Sequence, residues 1–164
     1  MADQFKAKLA RIRLLVLDVD GVLTDGKIYL GGDGTELKTF YVPDGSALIR
    51  GLRAGLRIAW ISGRDSPAVS ARARELGVKE VYQGVSDKVA ILEKLRKQYS
   101  LRMEETAALG DDLVDLPICE SAGFSAAVAD AHPILKKKAD YVTIHAGGEG
   151  AVREVIDLIL ENRS

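Results

Sequence analysis

The chain has little cysteine. Cys119 is its only one, which excludes an internal disulfide and a cysteine-built metal centre. As a lone thiol on an apolar helical stretch, Cys119 reads as core. His132, just before Pro133, has no suitably spaced partner and reads as structural rather than as a metal ligand. Charge of one sign is also missing. Lys and Arg number 23 against 24 Asp and Glu, a net charge of −1, so no nucleic-acid or anionic-membrane partner is expected. No apolar run approaches the length of a membrane span. The N-terminal MADQFKAKLARIR carries acids and lacks an apolar signal core, so no secretory peptide is expected. Internal repeats, low-complexity tracts and Pro/Gly-rich linkers are absent as well. With 164 residues, 47% hydrophobic and 29% charged, the expectation is a single cytoplasmic domain covering residues 1–164.

The chain is organised around LLVLDVDGVLTD, residues 14–25. Leu14 to Leu17 reads as a strand buried on both faces, as a central parallel strand must be. It runs into Asp18 and Asp20. Burying ionised carboxylates is costly, so such an ending calls for a use. The carboxyl end of a central strand is where open α/β sheets place their ligands.

Further strands are predicted at Arg57–Ile61, Glu80–Tyr82, Thr106–Leu109, Phe124–Val128 and Tyr141–Thr143. Helices are predicted between them and at both ends of the chain. Lys27–Leu30 and Glu36–Val42 flank the turn Gly31-Gly32-Asp33-Gly34, a hairpin signal. This excursion, about residues 26–42, is unusually apolar. Since a lone hairpin is marginally stable, it is expected to pack on something. Pro43-Asp44-Gly45 reads as a turn before a helix at Ser46–Ala54. The alternation of strands and helices gives the fold class: α/β, with a doubly wound parallel sheet.

In such a sheet, three strands deliver their carboxyl ends to one edge. They carry Asp18 and Asp20, then Ser62 and Arg64, then Asp111 and Asp112. Lys88, at the start of a helix, can join them. Several carboxylates need compensating positive charge, and Mg²⁺ suits oxygen ligands of this kind. With Ser62 and Lys88 present, the natural guest is a phosphoryl group. One carboxylate can attack phosphorus, and the other can protonate the leaving alcohol and then activate water. The spacing alone does not say which does which. A signalling receiver domain gathers similar residues, but its phosphorylated Asp follows a later strand. A non-catalytic binding domain would not need every one of these positions filled. Gly147-Gly148-Glu149-Gly150 stays open between an anion cradle and a flexible helix entry.

DxDGVLTDG, SGR, a lone Lys and GDDxxD occur in that order and together resemble the haloacid dehalogenase superfamily of phosphohydrolases. The resemblance implies a Rossmann-like fold, with Asp18 as nucleophile and Asp20 as acid/base. It also implies Ser62 as a phosphate ligand, Lys88 as its counter-charge, and Mg²⁺ held by Asp18, Asp20 (through its carbonyl) and Asp111. Asp112 and Asp115 are then supporting acids, outside the metal ligands or orienting Lys88. Substrate contacts are expected from Asp20, Asp44, Gly45, Ser62, Gly63, Arg64, Arg72 and Lys88. The chain has no room for a cap domain, so the hairpin stands in its place, as in the capless branch. That branch implies a phosphorylated sugar-acid substrate, an octulosonate 8-phosphate first and a nonulosonate 9-phosphate as the alternative. It also implies a homotetramer assembled through the hairpins.

Overall fold

The apolar runs of the sequence become the middle of one sheet. A computed structural model describes residues 2–163. β1 (Leu14–Leu17) pairs in parallel with β4 (Arg57–Ile61) on one side and β6 (Thr106–Gly110) on the other. β5 (Glu80–Tyr82) extends the sheet beyond β4, and β7 (Phe124–Ala127) and β8 (Tyr141–Val142) extend it beyond β6. The order is β5-β4-β1-β6-β7-β8, all parallel. Every residue of β1 and β6 is buried, which is why both read as unbroken apolar or small-residue runs.

Reading the strands in chain order, the sheet runs outward from β1 in both directions. The order reverses between β1 and β6. A crevice forms at that point beyond the strands' carboxyl ends, because the two flanking connections leave to opposite sides. Asp18 and Asp111, the first residues after β1 and β6, therefore face each other across it.

The helices α1 (Ala2–Arg11), α2 (Val42–Arg53), α3 (Pro67–Leu76), α4 (Lys88–Tyr99), α5 (Leu116–Glu120), α6 (Pro133–Lys138) and α7 (Ala151–Asn162) cover the sheet. Leu9, Ile12, Leu48, Leu92, Leu95, Ile156 and Ile159 bury their side chains against it. Each such burial is worth about 1.5–3 kcal/mol.

α2 begins earlier than the sequence predicts. Pro43-Asp44-Gly45 lies inside its first turn, where a proline fits because the missing N–H has no helical partner to lose. The strands of the hairpin are short, β2 (Tyr29–Leu30) and β3 (Glu36–Leu37), and pair only with each other. The hairpin is nonetheless tied down. Phe40 stacks on the fully buried Trp60 at 6.3 Å between ring centres. Period-two alternation then turns Glu36, Lys38 and Phe40 inward, all partly buried, while Leu37, Thr39 and Tyr41 stay exposed. No described helix is long and apolar enough to cross a membrane.

Candidate active site

Asp18 leaves β1 with its N–H still donating to the Leu109 carbonyl, at 3.1 Å. The chain then turns tightly. Gly21 takes a φ of +91°, and the Asp111 carboxylate lies where a Cβ would stand. Only glycine serves both needs. The buried Thr24 hydroxyl accepts from the Gly21 and Gly26 N–H groups, at 3.3 and 3.2 Å, and so fixes the loop from within.

The Gly147-Gly148 segment braces the same loop from outside. Gly148 N–H donates to the Val22 carbonyl at 2.9 Å, and a Cβ on Gly147 would collide with the Gly21 carbonyl oxygen. These two glycines permit close backbone packing on the Asp18–Asp25 loop, a role the sequence reading did not weigh.

Lys88 is the first residue of α4, which Asp87 caps by accepting from Ala90 N–H at 3.0 Å. A cation is unfavourable in a first helical turn. Here two carboxylates compensate: Lys88 Nζ donates to Asp18 Oδ1 at 2.7 Å and to Asp115 Oδ1 at 2.6 Å. Burial opposes the Lys88 charge, but the two acids outweigh it and raise its pKa. Asp115, only 1% exposed, gives its other oxygen to the Asp111 and Asp112 N–H groups, at 3.0 and 3.3 Å. Ser62, at the end of β4, is buried. Its hydroxyl accepts from Arg64 N–H at 3.0 Å and lies 3.4 Å from Asp20 Oδ2. Asp18, Asp20, Ser62, Gly63, Arg64, Lys88, Asp111 and Asp112 all line one cleft of about 370 Å³.

The chain is similar to known proteins along nearly its whole length. Residues 57–156 match the haloacid dehalogenase-like hydrolase family. The chain belongs to that family. Among the similar hydrolases is the 3-deoxy-D-manno-octulosonate 8-phosphate phosphatase KdsC of Escherichia coli K12. It is 50% identical over 154 residues, which cover 94% of this chain and 82% of that protein. A crystal structure of the corresponding phosphatase from Moraxella catarrhalis, in complex with magnesium, phosphate and KDO, superposes with a TM-score of 0.96. It is 40% identical, over 99% of this chain and 94% of that one. The Yersinia pestis phosphatase superposes equally well, with 46% identity over 98% of this chain and 87% of the other. The fold is thus the Rossmann-like one of haloacid dehalogenase-like hydrolases, and the chain is a hydrolase of phosphatase type.

Three of the expected substrate contacts, Asp44, Gly45 and Arg72, do not line this cleft. Asp44 is buried under α7, where its Oδ1 accepts from Arg153 N–H at 2.8 Å. Burial raises its carboxyl above the usual range, opposed by the N–H groups of Arg153 and Gly150. Gly45 packs directly against the Arg72 guanidinium. Arg72 is held there by Glu75 at 2.8 Å, with its Nε buried between α2 and α3. These three residues join helices.

Two residues at the site escaped the sequence reading. Lys38 pairs with Asp20, and Glu36 pairs with Arg64. The alternation Glu36, Lys38, Phe40 carries the signal. If Phe40 turns inward, so do the other two.

The oxygens of Asp18, Asp111 and Asp115 lie within 4.8 Å of one another. Asp115 has both of its oxygens engaged by Lys88 and backbone N–H groups, which leaves Asp18 and Asp111 to face an ion. Burial, then repulsion from Asp115 and against the pull of Lys88, raises Asp18 to about 6. Burial, with Asp18 and Asp115 adding, raises Asp111 to about 8. One lysine does not balance three acids, and the shortfall fits a hard divalent cation such as Mg²⁺.

A pH dependence follows. Both folded-state values lie above the ordinary 3.8. Their contribution to stability is therefore full below about pH 4 and lost as pH rises through about 6 and about 8. The melting temperature of the metal-free protein should fall by about 5–10 °C between about pH 5 and about pH 8. Added Mg²⁺ should remove most of that fall. Scanning calorimetry with and without chelator checks it, and a flat metal-free profile contradicts it.

Proposed function

We propose that the chain is a Mg²⁺-dependent phosphomonoester hydrolase acting on 3-deoxy-D-manno-octulosonate 8-phosphate, in the synthesis of the lipopolysaccharide inner-core sugar. One observation carries the chemistry. Asp18, paired with Lys88 at the carboxyl end of β1, opens onto a cleft that also holds Asp20 and Ser62. The substrate is supported by the names of the relatives, which match along nearly the whole chain.

In the first step an Asp18 carboxylate oxygen bonds to phosphorus and the ester P–O bond breaks. Asp20 gives its proton to the departing sugar oxygen. In the second step Asp20, now a carboxylate, takes a proton from water. The water oxygen bonds to phosphorus, the P–O bond to Asp18 breaks, and phosphate and Asp18 are released. Lys88 and the Ser62 hydroxyl hold the phosphoryl oxygens, and Asp115 keeps Lys88 aimed at them. Asp18, Asp111 and the Asp20 carbonyl would hold Mg²⁺. When bound, the ion neutralises phosphoryl charge and lowers the pKa of the nearby acids. Gly63 and Arg64 edge the cleft where the sugar acid enters, and the Arg64 guanidinium suits its carboxylate. Asp112 caps the turn at Leu113, accepting its N–H at 2.7 Å, and so supports Asp111 from behind.

Phosphate release from a panel of phosphomonoesters tests this reading. Phosphorylated sugar acids should be turned over with Mg²⁺ and lost with chelator. A preference for phosphoserine or phosphotyrosine would overturn the reading.

The hairpin supports a homotetramer. Its outer surface exposes Ile28, Leu30 and Leu37, and the adjoining start of α2 exposes Val42, each more than half exposed. An exposed apolar cluster of this kind suits burial against another copy. Leu37→Glu should lower the mass seen by light scattering and cut turnover about tenfold or more, since neighbours would then no longer shield the cleft. An unchanged mass contradicts assembly through the hairpin. A phosphorylated metabolite, Mg²⁺ and one buried thiol together suit the cytoplasm.

A further inference from the structure

Each catalytic acid has its own lysine, and the second one comes from the hairpin. Lys88 holds Asp18. Lys38, whose side chain is only 2% exposed, pairs with Oδ1 of Asp20 and lies 3.2 Å from Glu36 Oε1. Glu36 in turn pairs with Arg64 at the cleft edge. The result is a chain of alternating charges, Asp20–Lys38–Glu36–Arg64, running from the acid/base to the mouth of the cleft.

A buried ammonium is costly unless it has charged partners. An anchor for the hairpin could have been apolar, as Phe40 on Trp60 shows. Ammonium nitrogen offers donors only. Its bond therefore occupies Asp20 Oδ1 and leaves Oδ2, on the side of Ser62, as the oxygen that exchanges a proton with the leaving group.

We infer that Lys38 is the positioning residue of the general acid, so that the hairpin completes the chemistry as well as covering it. The inference rests on the phosphatase reading above and on Asp20 as its acid. It has a signature that a mere hairpin anchor lacks. A sugar alkoxide needs a proton in order to leave, whereas a nitrophenolate does not. kcat/KM reports the steps from binding up to departure of the leaving group, so loss of the acid shows in it as a loss that depends on the leaving group.

The experiment measures kcat/KM for the sugar-acid phosphate and for para-nitrophenyl phosphate in wild type, Asp20→Asn, Lys38→Met and Lys38→Arg. Lys38→Met should lose about 100-fold on the sugar phosphate and less than about fivefold on the nitrophenyl ester, matching the selectivity of Asp20→Asn. Lys38→Arg should regain about tenfold of that loss, because it restores a charged donor at the same position. An equal loss on both substrates would mean that the hairpin has merely come loose, and that overturns the inference. So does no loss on either. If wild type turns over neither ester, or if Asp20→Asn shows no selectivity, the phosphatase reading itself fails and takes the inference with it.

Discussion

Asp18→Asn should abolish phosphate release while leaving the fold as stable as before, or more so. The substitution keeps the shape and removes the nucleophile, since an amide oxygen does not displace an alkoxide from phosphorus. The loss in kcat should be roughly 10⁴-fold or more, in the range seen when a covalent nucleophile is deleted. The stability half of the prediction comes from the burial of this group. Asp18 is raised to about 6 by burial and then by Asp115, against the pull of Lys88, so its ionised form is held at a cost near neutral pH. Asparagine removes that cost, and its carbonyl can still accept from Lys88 at the present 2.7 Å position. Calorimetry of the metal-free variant near neutral pH should therefore show an unchanged or higher melting temperature. Turnover within tenfold of wild type would remove Asp18 from the reaction.

Lys88→Met should lose both activity and stability. Among the described residues the ammonium is the one cation bonded to Asp18 and Asp115, and all three groups are at least nine-tenths buried. Removing one member of a buried charge cluster leaves uncompensated anions, which costs about 3–5 kcal/mol. The cost should depend on pH in a specified direction. Near pH 8 Asp18 is ionised and the loss is largest. Near pH 5 Asp18 and Asp111, held up to about 6 and about 8, carry protons and the loss shrinks. Denaturant titrations at the two pH values check this, and a loss independent of pH would contradict it. Activity should fall about 1,000-fold or more, because the phosphoryl oxygens lose their fixed positive charge. Addition of Mg²⁺ should recover part of the stability and little of the rate.

The site was legible in the sequence wherever its residues stand at strand ends. Leu14–Leu17, Arg57–Ile61 and Thr106–Gly110 are apolar or small-residue runs that stop at Asp18, Ser62 and Asp111. Local pattern alone places all three at one sheet edge. Lys88 was legible because a cation in a first helical turn runs against the helix dipole.

Groups whose partners lie far along the chain were not legible. Asp44 and Arg153, 109 residues apart, meet only because α2 packs on α7. Nothing local distinguishes such a cap from a substrate contact. The place of Arg72 against Gly45 was hidden for the same reason, since it depends on how α3 meets α2. The role of Gly147 and Gly148 needed the Gly21–Asp25 backbone beside them. Lys38 is a different case. Its inward orientation follows from the alternation with Phe40, but nothing local says which face of the strand turns inward until Trp60 is seen under the phenyl ring.

The central claim is that this cleft dephosphorylates the eight-carbon sugar acid named for its relatives. Its most direct test is kcat/KM of the purified protein, with Mg²⁺, for 3-deoxy-D-manno-octulosonate 8-phosphate against N-acylneuraminate 9-phosphate. The octulosonate ester should be preferred by about tenfold or more, the discrimination that a few differing polar and steric contacts supply. Equal turnover, or a preference for the nonulosonate ester, would contradict the account.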